Sequence, residues 1–251
     1  SVAELLGGTP CSFPVNALIA CDDPRSAASE ALEAVRQGFT SFKIKVGRGT
    51  LDEDEALVSA VRQAIGPEMK LRLDQNKAWG VAQAIESIRR LSRYDLQYVE
   101  QPVAANDISG LARVRHGVPV PIAADEALGT RSDLSRILDA EASDLFIVKA
   151  ARLGGLRTAL DVARLAHEAG KPVVITSSLE CGVGIAAGTH LAAVLPSHPF
   201  AHGLATVLLF QEDLAVGLPL PEKGMLSALP GPGLGIQIDP RLASKYDAGI
   251  R

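Results

Sequence analysis

The chain has 251 residues, 47% apolar and 22% charged, with a net charge of −4 and a pI near 5.8. That balance suits a soluble protein with a sizeable core and argues against nucleic acid or an anionic membrane surface as a partner. No apolar run approaches the roughly 18–20 residues needed to span a bilayer, no secretory-leader pattern is seen, and three widely spaced cysteines, Cys11, Cys21 and Cys181, form neither a disulfide framework nor a zinc motif. A reducing cytoplasm is the expected location.

Strand-like and helix-like segments alternate along the chain. Strands are expected at 15–20, 41–46, 70–74, 96–100, 121–125, 145–149 and 172–178, with a weaker eighth at 201–209. Between them apolar residues recur at helical spacing. "LDEDEALVSAVRQAIG" has acidic residues in its first turn and Gly66 at its end, and "LRTALDVARLAHEAG" ends at Gly170. "VAQAIESIRRLSRY" is a third helix. Repeated βα units imply a parallel sheet covered by helices, and seven or eight of them suit a (β/α)8-type barrel. An open doubly wound sheet is the alternative, but no GxGxxG or GxxxxGK[ST] loop follows any strand. Residues 216–251, rich in Gly and Pro, break the βα rhythm and read as an irregular tail that leaves the barrel and packs elsewhere. The expected division is therefore an N-terminal remnant over 1–14, a barrel over 15–215 and the tail.

In "SFKIKVG", Phe42, Ile44 and Val46 alternate with Lys43 and Lys45, so the two lysines share a face. A charged residue then closes each of five strands in turn: Lys45, Asp74, Glu100, Asp125 and Lys149, at intervals of 24 to 29 residues. In a barrel such strand ends surround one mouth, where the catalytic residues of this architecture gather. Any one of these acids alone reads most simply as a turn former or helix cap, and Lys149 alone as a snorkelling side chain. Five in register with the βα repeat point to a site.

Three converging carboxylates need a cation between them. All-oxygen donors favour a hard ion, Mg²⁺ with Mn²⁺ as a substitute; the five histidines, His116, His167, His190, His198 and His202, show no ligand spacing and read as surface or helix residues. A dication with two opposed lysines suits removal of a proton next to a carboxylate. The cation neutralises the charge that develops on the substrate, and a lysine of lowered pKa takes the proton. Lys45 is the expected base. Lys43 is expected to disfavour its protonation by like-charge repulsion and to add positive charge near the substrate.

"KIKVG", "LRLDQNKAW", "YVEQP", "PIAADEALG" and "IVKAARLGG", in that order and spacing, resemble the muconate-lactonizing subgroup of the enolase superfamily, over about residues 15–240. The resemblance implies a modified (β/α)7β barrel, Mg²⁺ held by Asp74, Glu100 and Asp125, and Lys45 and Lys149 on opposite faces of a small carboxylate substrate. Asn76, Ser177, Ser178 and Gly203 are the substrate contacts expected from it. "VVITSSLECGVGIAAGTHLAA", "HGLATVLLFQEDL" and "LPGPGLGIQID" look most like the o-succinylbenzoate synthase family. That family dehydrates 2-succinyl-6-hydroxy-2,4-cyclohexadiene-1-carboxylate to 2-succinylbenzoate in menaquinone biosynthesis. Relatives that racemise N-succinylamino acids, epimerise dipeptides or cycloisomerise muconate share the proton abstraction. "GLATVLL" lacks the paired acids usual in the epimerases, and "KAARLGG" has Arg152 where the muconate cycloisomerases usually carry a second lysine. Gln75 and Cys181 also depart from the usual pattern. The resemblance implies an N-terminal capping domain of which almost nothing is expected here, since the chain opens on Ser1 and reaches a strand almost at once. A homo-oligomer is compatible with all of this.

Overall fold

The computed structural model describes residues 1–247; the last four residues of the expected tail lie outside them. In chain order the elements are α1 (Val2–Leu5), β1 (Ser12–Pro14), β2 (Ala17–Ile19), α2 (Pro24–Arg36), β3 (Ser41–Lys45), α3 (Leu51–Ile65), β4 (Lys70–Asp74), α4 (Val81–Leu91), β5 (Leu96–Glu100), α5 (Ile108–Gly117), β6 (Ile122–Ala124), α6 (Arg131–Asp139), β7 (Leu145–Val148), α7 (Leu156–Glu168), β8 (Val173–Ile175), α8 (Gly182–Ala192), β9 (Ala215–Val216), β10 (Met225–Ser227), β11 (Gln237–Ile238) and α9 (Pro240–Lys245). None of the described helices is long and apolar enough to cross a membrane.

Strands β2 to β8 form one seven-stranded parallel sheet in sequence order, as repeated right-handed βα units require. The strand starts and ends foreseen from the alternation fall within two residues of the observed ones, except at the end of β8, expected at 178 and observed at Ile175, and at the eighth segment. There Ala205–Leu209 is a 3₁₀ turn, and pairing is confined to two parallel bridges, Val15 with His202 and Thr176 with Gly203. This short piece still closes the barrel. Asn16 N–H donates to His202 O (2.9 Å) on one side, and Gly203 N–H donates to Ile175 O (2.8 Å) on the other. It stays short because the Nδ1 of His202 accepts the Ile175 N–H (2.9 Å), where a strand would offer a carbonyl. His202 is therefore buried, against the expectation of a surface histidine, and burial pushes its pKa down to about 3. His190, in α8, is also buried.

Two apolar layers follow from the alternation. Fully buried Phe42, Ile44, Leu71, Leu73 and Val99 pack outward against Val58, Val61, Ile88 and other helix residues. Tyr98, Ala123, Leu145, Ile147 and Val174 fill the interior, with Phe200 against them. Arg72 lies buried in this interior. Its guanidinium donates to Tyr98 Oη and Ala201 O (2.8 Å each) and to Gln97 Oε1 (2.7 Å), and stacks 4.6 Å from the Tyr98 ring centroid. It thus ties β4 and β5 to the closing segment.

The tail returns to the end of the barrel where the strands begin. β10 pairs antiparallel with β1, and Val15 N–H donates to Gly224 O (2.9 Å). Gly224 has φ +70, and a Cβ there would sit 2.5 Å from Gly38 O. Gly66 has φ +78 with open space around its would-be Cβ. Gly224→Ala should therefore cost about 2–3 kcal/mol, and Gly66→Ala only about 1 kcal/mol. Urea denaturation of the two variants checks the order.

Candidate active site

The strand alternation puts Lys43 and Lys45 on the inner face of β3, half-buried, while Phe42 and Ile44, which alternate with them, are fully buried. Register does the rest: Lys45 is level with Asp74, and Asp74 with Glu100. A cavity of about 390 Å³ at this end of the barrel is lined by Lys43, Lys45, Asp74 and Lys149 together with Asn76, Ser177, Ser178 and Gly203. Glu100 and Asp125 are buried and stand behind this lining. The structure thus brings the five strand-end residues and all four expected substrate contacts to one mouth.

The carboxylates are tied into ion pairs. Lys43 Nζ lies 3.0 Å from Asp74 Oδ2 and 3.1 Å from Glu100 Oε1. Lys149 Nζ is in contact with Asp125 Oδ2, and Arg152 Nη1 donates to Asp125 Oδ1 (2.9 Å). Lys45 Nζ donates to Asn76 Oδ1 (3.0 Å). Asp74 also accepts the Asn76 N–H through Oδ1 (3.2 Å), so it is turn former and site residue at once.

Electrostatics follow from burial. Burial pushes the Glu100 carboxyl up to about 8; Lys43 opposes this, while Asp74 and Asp125 add to it. Burial also works against ionised Asp74, but Lys43, with Lys45 and Lys149, outweighs it and holds that carboxyl below its usual range. For Lys43, burial disfavours the ammonium, yet Glu100 and Asp74 outweigh it and raise its pKa. Here the structure differs from the expectation for Lys43. It is not a free charge set against Lys45, because Asp74 on β4 pairs with it and the Glu100 carboxyl on β5 lies 3.1 Å from it.

The donor set suits a hard dication: carboxylate oxygens from three successive strands, buried, with an ammonium already drawn between two of them. As the side chains stand, no three His, Cys, Asp or Glu groups among the described residues close around an ion; the Lys43, Lys149 and Arg152 nitrogens take the carboxylate oxygens instead.

Sequence reasoning passed over Gln101. It is fully buried at φ +39, and its Oε1 accepts the N–H groups of Asp125 and Ala127 (3.0 Å each). It therefore locks the turn that carries Asp125 to the end of β5. The "EQP" step after a strand was its signal. Asn16, Arg48 and Thr206 also line the mouth. For Asn16 and Thr206 no pattern pointed there; Arg48 follows β3 between two glycines.

Comparison with known proteins accords with this geometry. The family described as enolase C-terminal domain-like matches residues 26–242. The o-succinylbenzoate synthase of Thermobifida fusca (strain YX) is 46% identical over 217 residues, covering 86% of this chain and 66% of that protein. The chain thus spans about two thirds of that relative's length. Among solved structures, muconate cycloisomerase from Pseudomonas fluorescens superposes with a TM-score of 0.93 at 31% identity, covering 98% of this chain and 68% of that one. A dipeptide epimerase from Cytophaga hutchinsonii, in complex with Mg and the dipeptide D-Ala-L-Val, gives 0.90 at 30% identity, covering 97% and 66%. With the family's description matching most of its length, the chain belongs to the enolase C-terminal domain-like family.

Proposed function

We propose that this chain is the barrel of a Mg²⁺-dependent o-succinylbenzoate synthase, a hydro-lyase that converts 2-succinyl-6-hydroxy-2,4-cyclohexadiene-1-carboxylate to 2-succinylbenzoate in menaquinone biosynthesis. The 46% identity to the Thermobifida fusca enzyme carries the reading, and three lysines and Asp74 lining one mouth, with Glu100 and Asp125 held against two of those lysines, support it. Asp74, Glu100 and Asp125 would hold Mg²⁺, which supplies charge neutralisation for the substrate carboxylate.

The chain's own groups do the rest. Unprotonated Lys45 accepts the proton α to the carboxylate as the C–H bond breaks. The electron pair expels the hydroxyl, which takes that proton and leaves as water. Lys149 Nζ, as ammonium, balances the negative charge that grows on the substrate. Asn76 holds the Lys45 amine in place through its 3.0 Å hydrogen bond. The test is a dehydration assay with the cyclohexadiene substrate and Mg²⁺, in which 2-succinylbenzoate is expected.

Racemisation of N-succinylamino acids is the second reading. A second lysine on the same cavity favours it, because racemisation needs proton delivery from the opposite face. Exchange of α-protons of N-succinylamino acids in D₂O without dehydration of the cyclohexadiene would select it; dipeptide epimerisation and muconate cycloisomerisation are tested in the same way.

A further inference from the structure

Four cationic side chains, Lys43, Lys45, Arg48 and Lys149, and one carboxylate, Asp74, line the mouth. Three of the four cations are engaged with the reaction centre: Lys43 with Asp74 and Glu100, Lys149 with Asp125, and Lys45 with Asn76. Arg48 is held differently. Its Nη1 donates to both oxygens of Asp22 (2.6 and 2.8 Å), a residue of the turn between β2 and α2. That pair is open to solvent, with the Arg48 side chain 54% exposed. An exposed pair contributes little to stability, so the guanidinium can be shared or transferred at small cost, and its fork geometry matches a carboxylate.

Position adds to this. A second cavity of about 410 Å³ is lined by Asp22, Pro24, Lys45, Arg48, Gly49, Glu53, Asp54, Ala56 and Leu57. Lys45 and Arg48 line both this cavity and the mouth, so the two spaces are neighbours on either side of these side chains. Two of the side cavity's acids are already used. Asp54 accepts the Gly47 N–H through both oxygens (2.9 and 3.0 Å), and Glu53 accepts the Thr50 N–H (2.7 Å) and hydroxyl (2.9 Å). A substrate whose reacting carbon lies at Lys45 therefore has on the same wall of the mouth a guanidinium that no group of the reaction centre holds.

We propose that Arg48 is a specificity-determining residue that binds a second, distal carboxylate of the substrate, in exchange for or alongside Asp22. The inference rests on the reading of the mouth as the reaction site and names the residue that meets the second carboxylate of such a substrate.

Titration calorimetry of the Mg²⁺-loaded protein with 2-succinylbenzoate and with 2-butanoylbenzoate, which lacks the distal carboxylate, tests it. Wild type should prefer 2-succinylbenzoate. Arg48→Met should weaken that ligand about tenfold or more, the effect of losing one charge-assisted hydrogen bond, and leave 2-butanoylbenzoate within about twofold. Arg48→Lys should recover part of the loss. Asp22→Asn frees the guanidinium and should tighten 2-succinylbenzoate; were the ion pair merely a brace between loops, Asp22→Asn and Arg48→Met would act alike. Equal affinity of wild type for both ligands, no binding of either, or parallel losses in Arg48→Met would overturn the proposal. The lyase reading is judged separately by dehydration: an Arg48-dependent preference without turnover keeps the subsite and removes the lyase, and turnover with an indifferent Arg48 does the reverse.

Discussion

Lys45→Ala is expected to lower α-proton exchange and dehydration by about 10³-fold or more, the upper part of the range for loss of a positioned general base, with the fold intact. The half-buried side chain makes a single hydrogen bond, to Asn76 Oδ1, and leaves no buried charge without a partner when removed. Its effect should thus fall on chemistry and not on stability. Lys149 is a different case. It pairs with buried Asp125, so Lys149→Ala should also weaken the fold, although Arg152 retains a hold on the same carboxylate. Isotope exchange in D₂O followed by NMR, beside thermal melts of each variant, separates the two. Most of the exchange surviving in Lys45→Ala would remove it as the base.

The second large effect concerns Glu100 and pH. Burial raises its carboxyl to about 8 from the usual 4.5. Between those two values the folded protein keeps a proton that the unfolded chain has released. The folded state then binds more protons, so stability falls as pH rises through the window. In Mg²⁺-free buffer with chelator, wild type should lose on the order of 2–4 kcal/mol between about pH 5 and 8.5 relative to Glu100→Gln, which has no carboxyl to ionise. Asp74 does not blur this, because its depressed pKa places its own change below the window. Mg²⁺ should restore more stability at pH 8 than at pH 5.5, since binding to carboxylates displaces protons. Urea midpoints across the range decide it; parallel curves for wild type and Glu100→Gln would show that Glu100 does not carry the burial cost.

Periodicity made the barrel legible. Period-two runs such as Phe42–Ile44 around Lys43, and period-3.6 runs such as those of α3 and α7, depend on near neighbours, and a βα repeat repeats the same local signal. The strand-end residues were legible for the same reason, since one repeat separates each from the next. The eighth segment was not. "AHGLATVLL" has the apolar character of a strand, but the Nδ1 of His202 takes the Ile175 N–H and the chain turns into 3₁₀ geometry at Ala205. That choice depends on β8 and Asn16, far away in sequence. The tail's return to β1 and Gly38 was equally hidden, as close approach at Gly224 depends on residues almost 190 positions earlier.

Charge state divides along the same line. That Lys43 and Lys45 share a face follows from alternation within one strand. Which of them carries a compensated charge follows from register with β4 and β5, where Asp74 and Glu100 close on Lys43 and leave Lys45 to Asn76. Residue types and their spacing, set by covalent neighbours, named the participants at the mouth. Burial and pairing between strands, which arise when distant segments meet, set the proton affinity of Glu100, the locking of Asp125 by Gln101, and the place of Arg48 beside Asp22.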